Sequence, residues 1–157
     1  MSKDHTQQRP RIVLFQPDIP GNTGTILRLA ACLNLAVDII EPAGFRLDNK
    51  SLLRSGMDYL ELAQLKRHDD WTSFEAWRRE RQSRLILMTT KSEKSHFDFQ
   101  FQPSDCLIFG RESAGAPDFV HKAADSSLTI SMPGKGRSLN LAVSVSIVAG
   151  EVLRQLN

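Results

Sequence analysis

Three polar loops in the last third of the chain carry residue types that can hold a small molecule. They are residues 89–91 (TTK), 110–115 (GRESAG) and 133–140 (PGKGRSLN), and each follows an apolar run that predicts a buried strand. In open parallel α/β sheets, ligands bind just outside the carboxyl ends of the strands. Three such loops in succession therefore predict one composite small-molecule site.

The elements that must position these loops alternate along the chain. The apolar runs 85–88, 106–109 and 128–132 lead into the loops, and strands are also predicted at 12–15, 36–40 and 60–65. Helices are predicted after residue 22, around 50–54, from 72 to 81, near Pro117 and from 138 to 156. Strands that alternate with helices indicate an α/β domain with a mostly parallel sheet.

The last predicted helix is apolar on nearly all sides. Residues 138–156 alternate locally like a strand, but their length and polar end favour a helix. Such a helix must be buried on several sides, and a partner subunit can supply part of the cover. The helix N-caps are expected at Asn22 or Thr23, at Thr72 or Ser73, and at Ser138.

Length and composition describe an ordinary globular chain. Its 157 residues suit one domain, predicted over residues 11–157. Residues 1–10 lack the apolar core of a signal peptide and are expected to form a flexible tail. No stretch is apolar over the length that spans a membrane, so a cytoplasmic protein is expected.

Basic residues are clustered although the net charge is only +2. For any one cluster we favour a solvated helix face, but together the clusters can contact the phosphates of a nucleic acid. The three clusters are Arg46, Lys50 and Arg54; Lys66, Arg67 and His68; and Arg78, Arg79, Arg81 and Arg84.

The cysteines and histidines indicate neither a disulfide nor a metal site. Cys32 and Cys106 both have apolar neighbours, which favours buried free thiols in a reducing compartment. The four histidines lack the spacing of metal ligands, so no metal is expected.

The common nucleotide-binding fingerprints are also missing. No G-x-G-x-x-G follows the first predicted strand, and Gly134-Lys135 is followed by Gly136 instead of Ser or Thr. A nucleotide-like cofactor would therefore bind in another geometry.

Three segments in order resemble the SPOUT superfamily of RNA methyltransferases, in its SpoU (TrmH-like) branch. They are residues 20–28 (PGNTGTILR), 109–115 (FGRESAG), and 130–132 (ISM) leading to 137–143 (RSLNLAV). Residues 15–24, 40–45 (IEPAGF) and 54–59 (RSGMDY) look like the TrmL type, which methylates the ribose 2′-OH of the tRNA wobble nucleotide, cytidine or uridine. The resemblance runs from about Ile12 to Gln155.

The resemblance implies more than the residues alone can show. The family fold is an α/β domain whose C-terminal part forms a trefoil knot, and knots are too rare to propose without such a likeness. The family cofactor is S-adenosylmethionine, held bent in the knot. Members act as homodimers with the active site at the subunit interface. Some relatives have an extra RNA-binding domain. A short chain of this type is expected to bind the tRNA anticodon loop with the catalytic domain itself.

On the family pattern, backbone groups of the knotted loops read the adenine edge of the cofactor. Without the resemblance, core packing is the favoured interpretation of Met88, Ile130 and Met132. The cofactor-binding residues that the resemblance implies are Met88, Gly110, Ile130 and Ser138, with Met132 and Leu139 packing nearby.

The resemblance also implies five catalytic candidates, which are Arg28, Asn22, Glu112, Ser138 and Asn140. Arg28 matches an arginine near the reactive 2′-OH. A guanidinium stays protonated and is a poor base, so we favour a phosphate clamp or a contact to the alkoxide over proton removal. Asn22 can orient Arg28 or the ribose. Glu112 can hold its loop through backbone N–H groups, pair with Arg28 or face the sulfonium, and the first is favoured.

For the last two candidates, the resemblance implies that Ser138 caps the final helix and lines the site. It also implies that Asn140 bonds across the knot or near the methyl acceptor. Gly150 departs from the pattern, because TrmL-like chains often have an aromatic residue there.

Other functions stay open on the sequence. They are 2′-O-methylation of another tRNA position or of ribosomal RNA, a catalytically silent RNA-binding protein on this scaffold, and a small-molecule-binding domain without RNA. The four motif residues Arg28, Glu112, Ser138 and Asn140 argue against a silent protein. The basic clusters disfavour the last alternative.

Overall fold

A six-stranded parallel sheet organises residues 8–157, which are the residues described by the computed structural model. Most of the predicted tail, residues 1–7, lies outside them. The strand order is β3-β2-β1-β5-β4-β6, and each neighbouring pair runs parallel. The strands are β1 Arg11–Phe15, β2 Ala36–Ile40, β3 Leu65–His68, β4 Leu85–Met88, β5 Cys106–Phe109 and β6 Ser126–Leu128.

Helices cover both faces of this sheet, as the predicted α/β class requires. They are α1 Pro20–Leu33, α2 Asn49–Arg54, α3 Tyr59–Leu62, α4 Trp71–Glu80, α5 Asp118–Ala123 and α6 Leu141–Leu156, with a 3₁₀ turn at His96–Asp98. Within the described residues, no helix is long and apolar enough to cross a membrane.

The alternation of side chains along β1 shows how the layers are joined. Ile12 and Leu14 belong to the apolar cluster under α1 and α6, whereas Val13 and Phe15 belong to the cluster under α4 and α5. Successive strand residues point to opposite faces, so a strand covered on both sides reads as a continuous apolar run. The fully buried β4 and β5 follow the same rule.

Two predicted strands differ from the structure. Residues 60–65 do not form one, because the Asp58 side chain accepts the Glu61 N–H at 2.8 Å and starts α3 instead. The next strand begins only at Leu65, where pairing with Val37 of β2 starts. The run 128–132 is a strand only at Leu128, since β6 pairs with β4 no further than that residue.

The predicted helix caps were also wrong. Helix α1 begins at Pro20, which suits the first turn, so Asn22 and Thr23 lie inside the helix. Asp70 caps α4 instead of Thr72 or Ser73, through a bond from the Ser73 N–H. Asn140 caps α6 instead of Ser138, since its side chain accepts the Val143 N–H at 3.2 Å.

The two cysteines lie in different environments. Cys106 is buried in β5, and burial raises the pKa of its thiol to about 12. Cys32 is exposed, so its predicted burial was wrong. Apolar sequence neighbours are no guide to the phase of a helix, and Cys32 lies off the buried stripe of α1, which ends at Ala30.

Candidate active site

The three polar loops meet at one cavity of about 580 Å³. Residues 89–91 follow β4, residues 110–115 follow β5, and residues 138–140 lead into α6. A cavity of this size suits a cofactor-sized molecule. The first turn of α1 closes one side with Ile19 and Asn22. The composite site predicted from the loops is thus present at the carboxyl ends of the central strands.

All six predicted cofactor-binding residues line this cavity. Met88 is buried at the end of β4, Ile130 and Met132 are half-buried, and Ser138 and Leu139 are exposed. The sixth is Gly110, at the end of β5.

Gly110 allows the closest backbone approach in the site. A Cβ at this position would lie 2.3 Å from the Ala116 nitrogen and 2.4 Å from the Gly115 carbonyl carbon. The turn that follows closes on itself, because the Gly115 N–H donates to the Arg111 oxygen at 2.8 Å. Gly115 has a φ of +69°, a conformation that favours glycine. Loop 110–115 is therefore compact and leaves no room for a side chain at Gly110.

Asp18 ties this loop to the connection between β1 and α1. Its carboxylate accepts from the Arg111 guanidinium, from the Ser113 hydroxyl at 2.6 Å and from the Ser113 N–H at 3.0 Å. These hydrogen bonds, chiefly from Arg111, hold the pKa of Asp18 well below its usual range. Sequence reasoning missed the pair. Both residues follow a strand within three positions, but only the observed pairing of β1 with β5 shows that the two strands are neighbours.

Glu112 joins the same loop to the start of α1. Its carboxylate accepts from the backbone N–H groups of Asp18 at 2.8 Å and Ile19 at 3.2 Å, and from the Asn22 amide at 3.2 Å. The Asn22 carbonyl in turn accepts from the Asn140 amide at 3.0 Å. A carboxylate at a helix N-terminus is also favoured by the helix dipole. Glu112, Asn22 and Asn140 thus connect all three motifs.

Arg28 lies apart from the other four catalytic candidates. Asn22, Glu112, Ser138 and Asn140 line the cavity, but the described lining residues do not include Arg28. The Arg28 side chain is 70% exposed, and its Nη2 atom lies 3.1 Å from Oε1 of Glu61. Arg28 therefore pairs with Glu61. The alternative in which Glu112 pairs with Arg28 was wrong.

The cavity also contains residues that the sequence analysis did not single out. His121 of α5, Thr129 after β6 and Ser144 of α6 line it. No spacing pattern marks these three, since they come from three separate elements.

A family comparison identifies the chain. The model of the SpoU rRNA Methylase family matches residues 9–150. The chain belongs to the SpoU rRNA methylase family. The match includes the three motif loops, so the family resemblance inferred from those motifs is confirmed.

Relatives in the SpoU family extend the likeness over nearly the whole chain. The tRNA (cytidine(34)-2'-O)-methyltransferase of Beijerinckia indica is 49% identical over 145 residues, which cover 92% of this chain and 91% of that protein. A solved structure concerned with the 2-OH methylation of C/U34 on tRNA is 39% identical. It covers 96% of this chain and 97% of its own, with a TM-score of 0.86.

A further SpoU relative was solved with a cofactor bound. The SpoU methyltransferase AviRb from Streptomyces viridochromogenes, in complex with AdoMet, is 25% identical and has a TM-score of 0.83. The match covers 95% of this chain and 61% of AviRb.

The cavity of this SpoU chain fits S-adenosylmethionine, the cofactor of its family. Met88 and Ile130 offer an apolar surface to a flat adenine, and Gly110 lines the cavity with backbone atoms only. The carboxylate of Glu112 also lines the cavity and can face a positive sulfonium. The residues present therefore suit both the adenine and the sulfonium of the molecule.

Proposed function

We propose that this chain methylates the ribose 2′-OH of the wobble nucleotide, cytidine or uridine, in the anticodon loop of tRNA. The observation that carries the proposal is the 49% identity to the Beijerinckia indica tRNA (cytidine(34)-2'-O)-methyltransferase across 92% of the chain. The structure concerned with C/U34, at 39% identity and a TM-score of 0.86, supports the same nucleotide. The two matches cover 91% of the Beijerinckia indica protein and 97% of the solved chain.

The cofactor would lie in the cavity between the three loops. Backbone groups of Met88, Gly110, Ile130 and Ser138 would read the adenine, with Met132 and Leu139 packed against it. When bound, S-adenosylmethionine supplies an electrophilic methyl group on a sulfonium. The residues around it then have to exclude water, hold the ribose oxygen in line and accept its proton, and such positioning can account for much of the rate.

Asn22, Asn140 and Ser138 are the groups that would hold the ribose. All three line the cavity, and the bond between Asn22 and Asn140 fixes the orientation of both amides. Glu112 holds the start of α1 in place through the two N–H groups described above. Arg28 would clamp the neighbouring phosphate or face the developing alkoxide, because a guanidinium donates readily but is a poor base.

The proposal includes a homodimer with the active site at the subunit interface. Arg28 lies outside the cavity of its own chain, so it would serve the cavity of a second copy. Ile19 and Leu139 line the cavity and Val143 lies in the first turn of α6, and these three apolar side chains are 46%, 38% and 46% exposed in the single chain. Apolar side chains grouped at a site rim are typical of an interface.

The proposed domain, residues 11–157, includes a C-terminal trefoil knot. After β6 the chain bridges to the β4–β5 connection, where Ser95 pairs with Thr129. The last turn of α6 bonds to the same connection, since the Gln155 amide donates to the Phe99 oxygen at 2.8 Å and accepts the Phe101 N–H at 2.9 Å. These contacts support a chain end enclosed by the earlier connection.

A cytoplasmic location belongs to the same proposal. Cys32 and Cys106 are both free, and free thiols suit a reducing compartment. The tRNA-modifying relatives agree with that compartment.

The test is transfer of a labelled methyl group from S-adenosylmethionine to bulk tRNA and, separately, to ribosomal RNA. We expect label in tRNA with the wild-type chain and none with Arg28→Ala, while folding and cofactor binding are retained. Arg154→Ala is the matched control, because Arg154 is also 70% exposed and also paired with a buried glutamate.

Three outcomes would contradict parts of the proposal. Near-normal turnover by Arg28→Ala would refute the role of that residue. Label in ribosomal RNA alone would favour the ribosomal alternative, which the family name supports. No incorporation with cofactor binding intact would favour a catalytically silent RNA-binding protein.

A further inference from the structure

Glu61 is a buried carboxylate that faces an exposed cation. The residue is 5% exposed, whereas the side chain of its partner Arg28 is 70% exposed. Within residues 8–157, the guanidinium of Arg28 is the only side chain that bonds to this carboxylate. Glu61 belongs to none of the motifs named above, and it is not among the described residues that line the cavity.

The segment that carries Glu61 is fixed against α1. Asp58 caps α3 by accepting the Glu61 N–H at 2.8 Å. Met57, just before it, is buried and packs on Gly24, where a Cβ would lie 3.1 Å from the Met57 methyl carbon. Gly24 and Arg28 are four residues apart and so share one face of α1. The contact between Met57 and Gly24 therefore fixes this segment one turn of α1 away from Arg28, and Glu61 lies beside Arg28 as a result.

The ion pair contributes little to stability in this setting. A pair with one partner largely in water is screened, and it must also order a long arginine side chain. Burial of the carboxylate is itself unfavourable unless it is paired. A neutral side chain at position 61 would avoid that burial penalty, so folding alone does not explain the glutamate.

What the pair fixes is the direction of the guanidinium. The contact uses Nη2 of Arg28, and within the described residues Nη1 and Nε form no hydrogen bond. A guanidinium has five N–H donors, so the free edge can still bind a phosphate or alkoxide in two-point fashion.

We propose that Glu61 is a positioning residue, which holds the Arg28 guanidinium in the orientation that meets the RNA during methyl transfer. This inference rests on the function proposed above. Glu61 would act only through Arg28 and would contact neither the cofactor nor the ribose. Its loss should therefore change the rate of transfer more than the binding of either substrate.

Glu151 of α6 provides a matched control. Its side chain is 5% exposed and its partner Arg154 is 70% exposed, with 2.7 Å between Oε2 and Nη2. The corresponding exposures for Glu61 and Arg28 are 6% and 70%. Glu61→Gln and Glu151→Gln thus make the same chemical change at similar exposure, although the Glu151 carboxylate accepts two bonds from Arg154 and one from Gln155, where Glu61 accepts one from Arg28.

The experiment measures kcat, KM for tRNA, cofactor affinity and melting temperature for wild type, Glu61→Gln and Glu151→Gln. Glu61→Gln is expected to lower kcat about 10- to 100-fold, as misplacement of a reacting group does. KM and cofactor affinity should stay within about two-fold, and Glu61→Gln should lose only a small amount of melting temperature, no more than Glu151→Gln, which weakens more hydrogen bonds. Glu151→Gln should keep the wild-type kcat.

Glu61→Asp keeps the charge but shortens the side chain, so it should recover part of the kcat lost in Glu61→Gln. If Glu61→Gln does not fold, Glu61→Asp carries the test, with a kcat below that of Glu151→Gln as the supporting result.

Equal kcat in Glu61 and Glu151 variants would overturn the inference, as would a loss that follows cofactor affinity or melting temperature. Wild-type chain that transfers no methyl group would instead overturn the proposed function, and the assignment of Glu61 with it.

Discussion

Two walls of the cavity differ in how they are held. The braced wall, residues 110–115, is bonded to residues 18–22 through the side chains of Asp18 and Glu112. The open wall, residues 131–139, forms no hydrogen bond with other parts of the described chain, and residues 133–139 are all exposed. Both walls line the same cavity.

The hydrogen bonds of the braced wall indicate that this part of the site has its shape before a ligand binds. A loop tied by charged hydrogen bonds keeps its shape, so binding there does not have to order it. Ligand-binding loops with few contacts belong to the least stable parts of a protein. We therefore expect the braced wall, with Gly110, to keep its shape when the cofactor binds, and the open wall, with Met132, Ser138 and Leu139, to take its final shape around the ligand.

The largest expected effect is on the braced wall at Gly110. Gly110→Ala places a Cβ within 2.3 Å of the Ala116 nitrogen, so the turn must move. Such overpacking costs about 1–3 kcal/mol, so binding of S-adenosylmethionine should fall by up to about 150-fold by calorimetry. Gly134→Ala in the open wall is the control, since nothing lies within 4 Å of the added Cβ. Equal losses in the two variants would end the distinction between the walls.

A smaller effect is expected when the charge of the brace is removed. Asp18→Asn keeps the shape but weakens the bonds from Arg111 and Ser113, and cofactor affinity should fall about tenfold. The pKa of Asp18 is depressed in the folded state, so its stabilisation is present above the unfolded value of about 3.9 and is lost as the pH falls.

The melting temperature of Asp18→Asn should accordingly be lower at neutral pH and decline less steeply below about pH 4. Thermal melting at several pH values measures this. If the melting temperature of Asp18→Asn falls below about pH 4 as steeply as that of the wild type, Asp18 is not the brace.

The smallest effect is expected where the walls meet, at Asn140. Asn140→Ala removes the cap of α6 and the bond to Asn22, with a loss of about 1 kcal/mol in the free energy of unfolding. Ser131→Ala changes an exposed residue of the open wall and should leave stability unchanged, as measured by urea unfolding. If the two variants unfold alike, the link between the walls contributes nothing.

The sequence predicted the parts of the site that depend on local pattern. Continuous apolar runs located β4 and β5, and the loops after them were predicted to converge, as they do. The motifs identified Met88 and Gly110 as cavity residues.

Contacts distant in sequence could not be predicted in this way. Asp18 and Arg111 are 93 positions apart, and only the pairing of β1 with β5 brings them together. Residues 60–65 contain alternating apolar residues and were predicted to be a strand. They start as helix α3 instead, because the cap by Asp58 outweighs this weak pattern. Either Ser138 or Asn140 can cap α6, and the bond from Asn140 to Asn22 favours the second.

The central claim is that the site methylates one ribose oxygen at the wobble position. The most direct test is nuclease mapping of the nucleotide that receives a labelled methyl group in tRNA treated with the wild-type chain. We expect label on the 2′-oxygen of nucleotide 34, cytidine or uridine. Label on a base, or on the ribose of any other nucleotide, would contradict it.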